Sequence, residues 1–213
     1  MMKQYLEMKD RSPDSILFFR LGDFYEMFFD DAKLASKELD LTLTTRDRNK
    51  PPEERTPMCG VPYHSCDSYI ARLIAKGYKV AICEQTEDPA TAKGLVDRDI
   101  IRVVTPGTVM SSSMLEEGKN NFLCAVYADS AAMGLCLCDL STGEVFATSF
   151  PAGEEALDHL ENELGRFHPA EAVLSDGAWN LDGLTDFLRD KLDCLCENGG
   201  EGRFRYDAAL PLV

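Results

Sequence analysis

Apolar and polar positions alternate along this chain with two different periods, and the changes of period mark its elements. Residues 2–11 set Tyr5, Leu6 and Met8 among charges, a helical pattern that Ser12-Pro13 breaks. Residues 15–21 are rich in apolar and aromatic side chains and stop at Gly22, the profile of a buried strand. Phe28, Ala32, Ala35 and Leu39 then recur at helical spacing across 28–39. Leu41-Thr42-Leu43-Thr44 alternates as a strand does, and 46–57 is polar, charged and proline-bearing, hence a loop. Ser65 is placed to cap a helix running to about Lys76, with Tyr69, Ile70, Leu73 and Ile74 as its apolar face and Gly77 as its stop. Residues 78–83 and 100–104 predict two further strands, joined by a polar connection over 84–99.

Thr105-Pro106-Gly107-Thr108 and Ser111-Ser112-Ser113 form the most linker-like stretch. Beyond it, 122–128, 134–139 and 144–150 read as three successive strands. A helix over 154–166, a strand over 172–174 and a helix over 183–192 follow. Three meandering strands followed by alternating helix and strand resemble the start of an RNase H-like α/β domain, one that stops before such a domain would normally finish. The expected organisation is a mixed-sheet α/β domain over 1–110, a linker over 111–121 and a truncated α/β domain over 122–213.

Composition changes this picture in two places. The formal charge of −15 is unevenly spread: 1–110 is close to neutral at −2, and 111–213 carries −13. An acidic half repels phosphates and is expected to stay off a duplex or to meet a protein partner. The eight cysteines include two Cys-x-Cys pairs, Cys136/Cys138 and Cys194/Cys196. Zinc sites use wider spacing with matching partners. Residues two apart in a strand point the same way, so 136 and 138 read as two core positions and no metal is expected. There is no run of eighteen apolar residues, and Met1-Met2-Lys3-Gln4-Tyr5 has no signal-peptide character, so a cytoplasmic protein with no membrane partner is expected.

The sharpest chemistry lies in Arg20-Leu21-Gly22-Asp23-Phe24-Tyr25-Glu26-Met27-Phe28. If the stretch is extended, Phe24 and Glu26 share a side; if helical, they diverge by about 200°. An aromatic and a carboxylate on one face beside a flexible glycine suit a flat heterocycle, the ring stacking while the carboxyl reads an edge. On spacing alone the favoured reading makes Phe24 one more core aromatic and Glu26 a solvated charge. Arg46, Arg48 and Lys50 read either as a solvated basic loop or as phosphate-backbone contacts. Met58 reads as a packing residue or a neighbour of a minor groove, and the lone His64 as structural. Asp129 and Asp139, near the first strands of the second half, raise a nuclease reading through divalent metal. The nearest approach to a phosphate-binding P-loop, Gly118-Lys119-Asn120, lacks both its first glycine and its hydroxyl residue.

Four blocks carry a family resemblance: Gly22-Asp23-Phe24-Tyr25-Glu26-Met27-Phe28; Thr56-Pro57-Met58-Cys59-Gly60-Val61-Pro62-Tyr63-His64; Val80-Ala81-Ile82-Cys83-Glu84-Gln85 with Asp88-Pro89; and Arg102-Val103-Val104-Thr105-Pro106-Gly107-Thr108. In this order and spacing they resemble the start of the bacterial MutS family of DNA mismatch repair, closely over 1–110 and more loosely over 120–213. The resemblance implies a mismatch-recognition domain followed by a non-catalytic, RNase H-like connector. It makes Phe24 a wedge entering mispaired duplex DNA and Glu26 its partner, with Arg46, Arg48, Lys50 and Met58 as lesser candidates for DNA contact. It further implies a MutL-type protein as partner of the connector and a homodimeric parent. ATP and Mg are expected only in later domains of that parent, so this chain is expected to be a non-enzymatic fragment.

Overall fold

The computed structural model describes residues 1–47, 49–87, 94 and 96–209, and the chain divides into a unit of Met1–Thr105 and a unit of Pro106–Val213. The division precedes the 111–121 stretch expected as linker. Asn121 Nδ2 bonds the Pro106 carbonyl at 2.8 Å, and the Gly107 N–H bonds Glu171 at 3.0 Å, so this segment is tied to the second unit.

The first unit is built on a six-stranded mixed sheet in the order β3-β4-β2-β1-β5-β6. Its strands are β1 (Ser15–Leu21), β2 (Phe24–Phe28), β3 (Thr44–Thr45), β4 (Pro57–Pro62), β5 (Lys79–Gln85) and β6 (Arg98–Val104). Only β1 and β5 run parallel; the other pairs are antiparallel. Helix α1 (Met2–Arg11) covers one face, where Tyr5 packs edge-on against Phe19 and Phe28 with ring centroids 5.5 and 5.0 Å apart. Helices α2 (Phe29–Leu39) and α3 (Cys66–Ile74) cover the other, burying Ala32, Ala35, Leu39, Ile70 and Leu73. A single buried carboxylate ties these layers together. Asp31 accepts hydrogen bonds from the Tyr5 hydroxyl (3.0 Å), Lys9 Nζ (2.9 Å) and the Leu17 N–H (3.0 Å).

Two expectations for this unit need correction, and one strand was not foreseen. Residues 41–43 form no strand: α2 ends in a left-handed Asp40 (φ 57°), the Leu41 N–H closes back onto Ser36, and only Thr44–Thr45 reach β4. Residues 57–62 are a strand inside the sheet, although two prolines and a glycine conceal it; the prolines stand at its two ends, where their missing N–H is tolerated. Ser65 holds the N-cap position of α3 but makes no side-chain cap, because its hydroxyl donates to the Pro62 carbonyl.

The second unit has a five-stranded sheet in the order β11-β10-β7-β8-β9. Strands β7 (Phe122–Ala128), β8 (Ala132–Asp139) and β9 (Glu144–Pro151) form an antiparallel meander, and β10 (Glu171–Leu174) and β11 (Leu195–Asn198) add parallel to β7. This is the mixed α/β arrangement expected. Helix α4 (Ala156–Phe167) buries Ala156, Leu160 and Leu164, spaced four apart, on the face carrying Cys124, Val126, Leu135 and Leu137. The helix expected over 183–192 begins α-helical at Leu184–Asp186 and continues as a π-helix over Phe187–Lys191. Cys136 and Cys138 do share a side, but Met133, Leu135, Leu137 and Asp139 are the buried set of β8, so both thiols lie half-buried on the opposite face of the sheet. All eight cysteines are free thiols.

Candidate nucleic-acid interface

Leu21 pairs with Phe24 across a two-residue turn, Gly22-Asp23, and Gly22 takes φ +57°. No heavy atom lies within 4 Å of a Cβ added at Gly22, so positive φ and not crowding requires glycine there. The stretch beyond is extended, which settles the orientation. Phe24, Glu26 and Phe28 face α1, and Tyr25 and Met27 face the opposite way. Exposure falls steadily away from the turn. Phe28 is fully buried and Glu26 half-buried. Phe24 is 46% exposed, more than any other phenylalanine of the chain. A core role is therefore excluded for Phe24.

The turn is held from outside. Arg20 Nε donates to the Gly22 carbonyl at 2.5 Å, and the Tyr63 N–H donates to the Asp23 carbonyl at 2.9 Å. The Arg20 guanidinium lies 3.7 Å from the Tyr63 ring centroid and pairs with Glu84 at 3.2 Å. The Tyr25 hydroxyl donates to the same Glu84 oxygen, and burial together with that carboxylate keeps the phenol protonated. Phe24 thus projects from a braced hairpin.

Glu26 is set differently. Among the described residues its buried Oε2 has no hydrogen-bond partner, and it is paired with Arg46 Nη1 at 3.6 Å, an ion pair slightly beyond hydrogen-bond length. Burial pushes the Glu26 carboxyl above the usual carboxylate range, and Arg46 opposes that rise. Gly60 is its partner on β4, and a Cβ there would stand 3.5 Å from Glu26 Cγ and 3.2 Å from the Tyr25 carbonyl. The tight approach is to the Tyr25 carbonyl, so a side chain at 60 would press on the β2 backbone, while Glu26 Cγ would be in ordinary contact.

The structure brings Phe24, Glu26 and Arg46 to one end of one sheet face. Met58 pairs with Phe28 and packs half-buried against the α1-side cluster. Lys50 stays exposed in its loop, where Asp47 lies 3.7 Å from Nζ and Arg55 bonds its carbonyl. Arg48 lies outside the described residues. His64 is exposed beside Tyr63. In the second unit, Asp129 and Asp139 stand at opposite ends of the β7–β8 hairpin, each closing a turn. Asp129 accepts the Ala131 and Ala132 N–H groups. Buried Asp139 accepts Ser141, Asn120 and Asn121; burial alone would raise its carboxyl, and these donors hold it below the usual range. Among the described residues no three His, Cys, Asp or Glu converge as metal ligands, and no helix is long and apolar enough to cross a membrane.

Comparison with known proteins bears on the same residues. The family model described as MutS domain I matches residues 1–113, and that for MutS domain II matches 121–197. The chain belongs to the MutS family. It is 54% identical over 193 residues to a protein of Acetivibrio thermocellus named DNA mismatch repair protein MutS, covering 91% of this chain and 22% of that protein. Proteins of the same name from Ruminiclostridium cellulolyticum (48% identity, 100% and 24%) and Pelotomaculum thermopropionicum (56%, 82% and 20%) are similar. The chain therefore spans about a fifth to a quarter of the length of the curated relatives it matches.

In this MutS-family chain, Arg20, Tyr63 and Glu84 hold the Phe24 turn, and the sequence reading did not single them out. A signal existed. Arg20 and Glu84 are charges at the ends of two apolar runs, and the parallel register that pairs Phe19 with Cys83 sets them side by side. Arg20→Ala is expected to cost about 1–3 kcal/mol of stability in urea unfolding, since it leaves the half-buried Glu84 without its cation. Arg20→Lys should fall between, keeping charge but losing the planar stack on Tyr63.

Proposed function

We propose that the first unit recognises mispaired or unpaired bases in duplex DNA by inserting Phe24 from the minor groove, kinking the duplex, with Glu26 meeting the displaced base. The observation that carries this reading is the most exposed phenylalanine of the described residues, set on a braced hairpin turn and sharing its face with a carboxyl oxygen that has no hydrogen-bond partner among them. The names of the relatives, DNA mismatch repair proteins, support it.

The physical basis is differential deformation. Wedging a side chain between base steps costs roughly a few kcal/mol per step. A mismatch has already lost pairing and stacking, so the same kink costs less there than in a matched duplex. Phe24 recovers part of the cost by stacking. Glu26 as a carboxylate is repelled by phosphates; protonated, it donates a hydrogen bond to a base nitrogen. Its burial favours the protonated form. Binding that takes up a proton strengthens as pH falls through the carboxyl's value in the complex, and levels off below its value in the free protein.

Glu26→Gln tests this assignment. It should keep or improve affinity for both duplexes, lose discrimination between mismatched and matched DNA, and flatten the pH dependence of binding. Equal loss of affinity for both duplexes would remove Glu26 from recognition.

The acidic second unit is assigned a protein-contacting role. Residues 111–213 carry −13, which suits a MutL-type partner or other domains of the parent better than a phosphate backbone. ATP and Mg chemistry and homodimerisation are placed in parent segments beyond these residues, and the parent in the cytoplasm.

A further inference from the structure

The pairing of Glu26 with Arg46 has a consequence for how recognition is switched, and it rests on the reading of Glu26 given above. Among the described residues, buried Glu26 Oε2 accepts no hydrogen bond and is paired with one cation, at 3.6 Å. That cation is loosely held. Arg46 is half exposed and lies beyond hydrogen-bond length of the carboxylate, and among the described residues its hydrogen bond is to the Met1 thioether at 2.9 Å. It also stands at the start of the basic loop that follows β3. Arg46 is therefore poised between two anions, the Glu26 carboxylate now and a DNA phosphate when one arrives. A phosphate offers a guanidinium two oxygens in a planar, two-pronged geometry, which this contact does not.

We propose that Arg46 is a latch on Glu26: it holds the carboxylate charged in the DNA-free protein, and a backbone phosphate draws it away in the complex, so that Glu26 takes up a proton from solvent as mismatched duplex binds. The proton balance is simple. One proton moves from buffer to the Glu26 carboxyl, the Arg46 guanidinium keeps its charge throughout, and no bond other than O–H is made. The surroundings leave this pair to set the outcome. On β1 the strand partner of Glu26 is Phe19, on β4 it is Gly60, and α1 packs Tyr5 against Phe19. The cations of α1 and β6 are engaged elsewhere: Arg98 lies over the Phe19 ring at 5.1 Å and is bound to Gln4, the Arg20 carbonyl and the Val96 carbonyl, Lys9 is bound to Asp31 and the Ser15 carbonyl, and Arg11 pairs with Asp99. With Arg46 gone to phosphate, the buried carboxyl loses the influence that opposes its protonation.

A mere phosphate contact and a latch differ in what Arg46→Ala does. A contact that only positions the backbone weakens matched and mismatched duplex alike and leaves every pH profile in place. A latch also moves the Glu26 titration. The first experiment needs no DNA: the Glu26 side-chain carboxyl, labelled with carbon-13, is titrated by NMR in the whole chain. Arg46→Ala should shift its midpoint to higher pH, and Arg46→Lys should restore most of the wild-type value. The second measures low-salt binding of a single-unpaired-T duplex and its matched control across pH. In the wild type, the mismatch-to-match affinity ratio should rise as pH falls and then level off. In Arg46→Ala, both affinities should drop a few-fold, and the ratio should level off at higher pH. In Glu26→Gln the ratio should be flat.

An unmoved Glu26 titration in Arg46→Ala, or an unmoved plateau in the ratio, overturns the latch while leaving mismatch recognition intact. A moved titration with no preference for the unpaired-T duplex at any pH overturns the recognition reading, and the DNA half of the latch with it.

Discussion

Replacing Phe24 with alanine is expected to erase the preference for mismatched duplex while leaving the fold untouched. The two halves of this expectation have separate grounds. Phe24 is 46% exposed at a hairpin turn whose backbone is held by Arg20 and Tyr63, so its truncation removes little packing. Surface changes of that kind stay within about 0.5 kcal/mol. Stacking of an aromatic side chain on a base contributes about 1–3 kcal/mol. Its loss should therefore lower affinity for a G·T or unpaired-T duplex roughly 5- to 150-fold. Matched duplex, which offers no open step, should bind Phe24→Ala as weakly as wild type. Equilibrium binding at low salt, with a urea titration alongside, reads both halves.

The largest effect on stability is expected at Asp31→Ala. This buried carboxylate receives Tyr5 and Lys9 from α1 and the Leu17 N–H from β1, while Lys9 also donates to the Ser15 carbonyl at 2.6 Å. Truncating it leaves the Leu17 N–H unpaired, the Lys9 ammonium without its counter-ion and the Tyr5 phenol without its shorter acceptor, at the seam of helix and sheet. Removing one partner of such a buried network costs about 3–5 kcal/mol. Asp31→Asn keeps the shape and one acceptor oxygen, and should cost less. The change should appear in unfolding followed by far-ultraviolet circular dichroism. Emission from Trp179, the single tryptophan and a residue of the second unit, should keep its midpoint. A shift in Trp179 emission equal to that in the dichroism would show that the units unfold together.

How much of this was legible in the sequence differs from element to element. Helical spacing located α1, α2 and α4 to within a residue or two, because each buries a stripe against a sheet and the stripe is written in apolar residues: Ala32, Ala35 and Leu39 in α2, Leu160 and Leu164 in α4. Strand β4 was hidden because its packing residues, Cys59 and Val61, are separated by Gly60 and bounded by Pro57 and Pro62, all signals of a turn in isolation. The Thr44–Thr45 strand was misplaced because the left-handed exit at Asp40 is a backbone event with no apolar signature. Phe24 and Glu26 were singled out by the family motif and remained ambiguous by spacing. The extended β2 settled their orientation, setting both on one face. The Arg20–Tyr63–Glu84 brace, hinted at only by charges ending two apolar runs, and the Glu26–Arg46 pair were hard to read for a further reason. They join residues 20 to 64 positions apart through sheet register and loop return, which no local pattern encodes.

The most direct test of the central claim places 2-aminopurine beside an unpaired thymine in a short duplex, because its emission rises when the base step beside it opens. Wild-type chain should raise that emission on binding, Phe24→Ala should bind with no rise, and the matched duplex should give none with either. An equal rise with Phe24→Ala, or binding of the mismatch without any rise in the wild type, would contradict insertion of Phe24 as the means of recognition.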